Sequence, residues 1–291
     1  MSSRGEVPEL SITKIPDLNK KIWGLRRGEL TLVAARTSHG KSAFMNQIAW
    51  DLACGGKKVL YLSLEMDVPS LQERLFCNVF KIDNEQIYRG AFKREEEIRN
   101  KWMRFMGLLE SGNLEYCDFL GKTWREVDSL ITNLDPKPDV LILDHVNEIM
   151  SGNMRDRRTA VDDYLIHFRS ILVANRIAGI MGAQINRTGQ NDSNKEPKSY
   201  NLKETGKLEE AADLILLLHW EWKDDDRKDK NMFRVIVDKV RNGGCPGRVD
   251  IRIDPQYYQF SDLTDEQRIK KEEKNRKPAK DFTEKNVNWE E

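Results

Sequence analysis

What this chain of 291 residues lacks narrows its nature first. No stretch approaches the roughly 18 consecutive apolar residues that a membrane-crossing helix needs, which excludes a helical span and any partnership that depends on one. The first ten residues carry acids and a proline in place of an apolar core, so they do not read as a secretory signal. Cysteine is scarce: Cys54, Cys77, Cys117 and Cys245 lie far apart, with neither metal-ligand spacing nor the density of a disulfide framework. Reduced thiols in a cytosol-like compartment are the expectation. There is no excess of either charge, with 48 basic against 48 acidic residues. A monomeric nucleic-acid binder is usually basic overall. A ring that turns a few cations per subunit toward one channel is not, so charge balance alone decides nothing. No internal repeat of 20–50 residues is present.

What is there is an alternation of short apolar runs with helical stretches, the pattern of an α/β fold with a mostly parallel sheet flanked by helices. Strands are expected at Leu30–Ala35, Val59–Leu64, Leu114–Cys117, Val140–Leu143, Ala178–Ala183 and Leu214–His219. Helices are expected at Ser42–Cys54, Val68–Phe80, Arg94–Leu109, Thr123–Leu134 (capped by Thr123) and Thr159–Arg176. Phe233–Asp238 and Arg248–Ile253 read as a C-terminal antiparallel hairpin joined through Asn242-Gly243-Gly244. The stretch Asn186–Asn201 reads as a polar loop, and Trp222–Lys230 as a densely charged turn. From Asp262 onward, 8 basic and 9 acidic residues alternate with few apolar ones, which predicts a solvated helix or disorder. The division expected is an extension over 1–14, a main domain over 15–260 and a charged tail over 261–291.

The strongest local signal is Ala35-Arg36-Thr37-Ser38-His39-Gly40-Lys41-Ser42, a phosphate-binding loop with alanine in place of the first glycine. A buried strand precedes it and an amphipathic helix follows. Backbone N–H groups of such a loop, and the positive end of the helix after it, surround a phosphate. The candidate nucleotide-binding residues are therefore Arg36, Thr37, Ser38, His39, Gly40, Lys41, Ser42 and Ala43. Lys41 would reach the β- and γ-oxygens, and the Ser42 hydroxyl would bind Mg²⁺. The strand Val140–Asp144 ends in an acid placed to serve the same metal, and Glu65 follows another buried strand, placed to orient an attacking water.

From Ile15 to about Ile253 the order of motifs resembles the C-terminal motor domain of DnaB-type replicative helicases. Ile22-Trp23-Gly24-Leu25-Arg26-Arg27-Gly28-Glu29-Leu30 is similar to the "GGL-x-x-G-x-L" lead-in of RecA-like ATPases. The segment Ala34–Phe44 is similar to "AARPSMGKTxF", and Leu62-Ser63-Leu64-Glu65-Met66 to the segment holding that family's catalytic glutamate. Met181–Arg187 resembles "LSQLNR", which implies that Gln184 senses the γ-phosphate. Leu202–Asp213 resembles "LRESGxIEQDAD", which implies a grip on single-stranded DNA by Lys203, Glu204 and Gly206. Between Asn186 and Lys203, Arg187, Lys195, Lys198 and Lys203 outnumber Asp192 and Glu196, so the loop is modestly basic: repeated around a ring it would track phosphates, and alone it would be an ordinary surface loop. Val237–Gly243 resembles "GKQRNG", which implies that Lys239 and Arg241 act in trans on a neighbour's nucleotide. Where the family carries tyrosine after the metal-site acid this chain has His145, read as a packing or DNA-side substitution.

The resemblance implies a RecA-like P-loop NTPase that hydrolyses ATP with Mg²⁺, assembles as a ring (a hexamer in that family) and unwinds DNA in the cytoplasm of a bacterium or of a virus's host. Primase or a helicase loader is an implied partner. The family's usual N-terminal helical domain has no counterpart in the 14 or so residues before the match. Two other readings stay open: a recombination or repair ATPase that binds DNA without unwinding it, and a regulatory ATPase that acts on a protein. A second basic loop, Ser151–Arg158, is either channel-facing or a solvated turn.

Overall fold

The computed structural model describes residues 10–12, 14–146, 157–185, 196–199 and 206–275, with only the backbone of 157–160 and 272–275. In chain order its elements are α1 (Pro16–Ile22), β1 (Leu30–Ala35), α2 (Lys41–Cys54), β2 (Val59–Ser63), α3 (Val68–Phe80), α4 (Asn84–Tyr88), α5 (Ala91–Arg94), α6 (Glu96–Glu110), β3 (Leu114–Asp118) and α7 (Trp124–Asn133). They continue with β4 (Val140–Asp144), α8 (Arg157–Asn175), β5 (Ala178–Gln184), α9 (Gly206–Ala211), β6 (Leu214–His219), α10 (Glu221–Asp224), β7 (Met232–Val240), β8 (Gly247–Asp254), β9 (Gln259–Asp262) and α11 (Asp265–Asn275).

One nine-stranded sheet runs β3-β2-β4-β5-β1-β6-β7-β8-β9. The strands from β3 to β6 pair in parallel, and β7, β8 and β9 are antiparallel. Parallel strands need helical crossovers that cover both faces, so their sequences run continuously apolar. Every residue of β1, β2, β4 and β6 is buried. β7 instead alternates buried with half-exposed residues over its first six positions. One core packs α1, α2, α3 and α6 against the sheet, with Phe44, Phe76, Phe105 and Phe233 at its centre. The other lies under α7, α8 and α9, with Val127, Phe168 and Leu208.

The α/β architecture is as expected, with the expected C-terminal hairpin, and the long elements fall within a few residues of their sequence-derived bounds. Thr123 and Glu126 form the reciprocal capping box at the start of α7. The differences are short elements. α1 precedes β1, α4 and α5 precede α6, α9 precedes β6, α10 opens what was read as a charged turn, and β9 extends the hairpin to three strands. β9 runs across residue 260, and Leu263 beyond it is buried. At the other end Leu10 and Ile12 are buried, with Leu10 bridged to Leu25. The first turns of the charged tail form α11, which Lys271 ties to Asp250 on β8. Among the described residues no helix is long and apolar enough to cross a membrane.

Candidate functional site

In a parallel sheet flanked by helices, the loops at the carboxyl ends of the strands form the binding crevice. Here β1, β2, β4 and β5 all end at that edge, and their next residues line one cavity of about 330 Å³. Ala35, Arg36, Thr37, Ser38, Gly40, Lys41, Ser42 and Ala43 line it from the loop after β1 and the start of α2. Glu65 and Met66 come from the end of β2, His145 from β4, Gln184 from β5 and Arg74 from α3. The phosphate loop turns into α2 at Gly40, whose φ of 81° is a conformation side-chain-bearing residues seldom adopt.

Lys41 is the centre of the pocket. Its ammonium is hydrogen-bonded to Asp144 and stands 3.8 Å from Glu65. Asp144 is almost fully buried, a costly place for a carboxylate without partners. Burial alone would push its pKa up, but Lys41, the Ser42 hydroxyl and the Tyr61 hydroxyl outweigh that and hold it below the ordinary carboxylate range. Glu65 is half-exposed and faces both Lys41 and His145, whose Nε2 is 3.8 Å away. Gln184 donates from Nε2 to Thr37 Oγ1 at 2.5 Å, tying the end of β5 to the phosphate loop. The structure therefore brings Lys41, Ser42, Glu65 and Gln184 to one pocket, with Asp144 buried behind Lys41.

Arg36 and His39 meet a different partner. Arg36 is 2.8 Å from Asp224 on α10, and His39 Nε2 is 3.8 Å from the same carboxylate. The His39 ring stacks on His219, and its Nδ1 accepts the Trp220 backbone N–H at 3.2 Å. Burial lowers the His39 pKa to about 4 against the pull of Asp224, so the ring is neutral at neutral pH. The side chains of both loop residues are turned to Asp224, and what they offer a phosphate is backbone.

Lys239 and Arg241 stand apart from this pocket. β7 is antiparallel to β6, and Val240 pairs with Leu214 at the start of that strand. The two cations therefore lie at the edge of the sheet opposite the phosphate loop. The bulge at Asp238 precedes both, and as their alternation implies they reach the same side of the sheet, the end of α9. Lys239 donates to the Glu209 carbonyl at 2.7 Å, and Arg241 to Asp213 at 2.8 Å and the Glu210 carbonyl at 3.3 Å. Asp213 is buried and also accepts from Arg169 and from the Leu30 backbone.

Of the candidate DNA-binding residues, Lys198 is exposed and Gly206 begins α9, also exposed. Arg187, Lys195, Lys203 and Glu204 lie outside the described residues, as does most of the Ser151–Arg158 loop. Glu196, a little before Lys198, is held by Arg234 and Arg248 on the hairpin. Sequence reasoning missed Tyr61, Arg74 and Asp224. A hydroxyl inside an apolar strand looks like core, and an acid within a charged run looks solvated. Arg74, on a helix expected only from its apolar spacing, has no motif to mark it.

The family model described as DnaB-like helicase C terminal domain matches residues 12–262. The chain is 28% identical over 261 residues to the replicative DNA helicase DnaB of Haemophilus influenzae, covering 87% of this chain and 55% of that protein. It spans about half the length of the curated relatives it matches. Among solved structures, a DnaB-like replicative helicase described with its interactions with primase superposes with a TM-score of 0.81 at 23% identity, over 90% of this chain and 65% of the other. The ATPase domain of G40P gives 0.78 at 23% identity, over 88% and 93%.

Proposed function

Because the chain belongs to the family of DnaB-like helicase C-terminal domains, we propose that it is the ATP-hydrolysing motor of a ring-forming replicative helicase, moving along single-stranded DNA to unwind duplex at a fork. The observation that carries this reading is the placement of Lys41 between Asp144 and Glu65 beside the phosphate loop. An anion-binding loop, a metal-site acid and a water-orienting carboxylate are the parts phosphoryl transfer requires.

In this reading the loop backbone and Lys41 bind the phosphates, and Lys41 leaves Asp144 for them. Glu65 orients the attacking water. Mg²⁺ would be held by Ser42 and Asp144, where it would neutralise charge on the phosphates. The donors suit it: both are oxygens, adjacent and already hydrogen-bonded to each other.

Arg241, with Lys239, serves the pocket of the next protomer. Its position across the sheet from its own phosphate loop supports a role in trans, and such a cation makes turnover depend on contact between protomers. Gln184, bonded to Thr37, passes the γ-phosphate state to the segment beyond β5, where Arg187, Lys195, Lys198, Lys203, Glu204 and Gly206 grip the DNA backbone. A hexameric ring, a cytoplasmic setting and a primase or loader partner belong to the same reading. The primase is suggested by the structural relative described with one.

Strand separation on a forked duplex, followed with and without ATP, tests the function. ATP-dependent unwinding supports it. Hydrolysis stimulated by single strands without unwinding would favour a recombination-type ATPase, and hydrolysis indifferent to DNA one that acts on a protein.

A further inference from the structure

Asp144 is held from two sides, by Lys41 and the Ser42 hydroxyl from the pocket and by Tyr61 from the core. Lys41, a pocket residue, takes Oδ1. The Tyr61 hydroxyl, from inside the core, donates to Oδ2 at 2.9 Å. The sheet dictates this second contact. β2 and β4 are parallel neighbours in which Ser63 pairs with Asp144. Tyr61, two residues before Ser63, therefore lies on the same face as Asp144, one step deeper. Its ring is fully buried, so the hydroxyl has no water to bond. Burial and the Asp144 charge push its pKa well above the usual phenol value, and it remains a donor.

The tyrosine is itself fixed. Its ring lies 5.5 Å from that of Tyr116, whose hydroxyl donates to Asn46 Oδ1 at 2.5 Å. Asn46, on α2 one turn after Ser42, donates to the Leu71 carbonyl at 2.8 Å. A carboxylate left free would turn about its Cβ–Cγ bond and present either oxygen. One pinned through Oδ2 to a rigid phenol presents the other.

We propose that Tyr61 is a positioning residue for Asp144: its hydroxyl engages Oδ2 and leaves Oδ1 as the oxygen presented beside Ser42 to the nucleotide's divalent cation. This rests on the reading of the pocket as a nucleotide–Mg²⁺ site. Outer contacts that orient a ligand commonly account for about tenfold or more in metal affinity. A structural hydrogen bond would change stability and leave the cation response alone.

The test is the affinity of a fluorescent ADP analogue for the full chain, titrated with Mg²⁺. Tyr61→Phe keeps the ring and removes only the hydroxyl. Affinity without Mg²⁺ is expected to stay within about twofold of wild type, while the Mg²⁺ concentration at half-response rises about tenfold. In an Asp144→Asn background the same change is expected to add nothing. Tyr116→Phe, which keeps the ring packed against Tyr61 and removes a hydroxyl that does not touch Asp144, is expected to leave the Mg²⁺ response at the wild-type value. An unchanged Mg²⁺ midpoint in Tyr61→Phe, with wild type responding normally, overturns the positioning role alone. A wild-type chain that gains no affinity from Mg²⁺ overturns the nucleotide-site reading and this proposal with it.

Discussion

The ammonium of Lys41 and the carboxylate of Asp144 form an ion pair at the carboxyl edge of the sheet, with Asp144 almost wholly buried. The pair joins α2 to β4 and occupies the place where a phosphate would take the lysine. Lys41→Ala is expected to reduce hydrolysis at least a hundredfold, roughly the cost of losing one such electrostatic donor. It also leaves Asp144 short of its cation, so the nucleotide-free chain should lose on the order of 3 kcal/mol. Tyr61 and Ser42 remain as partners, which keeps the loss from being larger. Adding Asp144→Asn to the lysine variant is expected to recover most of that stability without recovering activity. Thermal melting of the two variants checks this, and a double variant no more stable than the single one would count against the pair.

Arg241 is expected to matter for turnover and not for nucleotide affinity. Arg241→Ala should bind ADP as wild type does and lose about a thousandfold in hydrolysis at saturating DNA. Asp213 keeps Arg169 and the Leu30 N–H as partners, so the fold should tolerate the change. Normal hydrolysis by this variant would remove the trans-acting assignment.

Asp51 makes a prediction about pH. It is buried in α2 beside Lys14, and burial raises its pKa to about 6 despite that lysine. Between roughly pH 4 and 6 the folded chain therefore keeps a proton that the unfolded chain has released. Stability from this group is full below the unfolded value and is lost as pH rises through about 6. Asp51→Asn is expected to raise stability at pH 8 by an amount on the order of 2 kcal/mol and to change it little near pH 4. Melting curves at the two pH values read the difference, and equal effects at both would show that Asp51 titrates like an exposed acid.

Lys203 tests the DNA face. Lys203→Ala should weaken single-strand binding and lower the slope of log affinity against log salt by about one. Nucleotide affinity should not move. An unchanged slope would take Lys203 off the DNA path.

Much of this was legible in the sequence, for physical reasons that differ by element. Strands β1, β2, β4 and β6 announce themselves because burial on both faces leaves no room for polar residues. The site residues Lys41, Ser42, Glu65, Asp144 and Gln184 converge because each ends or follows a parallel strand, and such strands end at one edge. What stayed hidden was set by tertiary contact. α4 and α5, at 5 and 4 residues, are too short to show periodicity. β9 is a strand because its backbone pairs with β8, and Phe260 within it closes the core beside Phe44 and Phe233. The loop motif names Arg36 and His39 as nucleotide neighbours, but Asp224, far along the chain, takes both side chains. No local pattern reveals such a partner.

The central claim is that the nucleotide pocket is completed across a protomer boundary, with Lys41 on one side and Arg241 on the other. Mixing Lys41→Ala chains with Arg241→Ala chains before assembly tests it directly, through the rate of ATP hydrolysis with single-stranded DNA present. Each variant alone should be nearly inactive. The mixture should regain measurable turnover, because some boundaries then pair an intact phosphate loop with an intact arginine. A mixture as inactive as its components, in assemblies shown to contain both chains, would contradict the account.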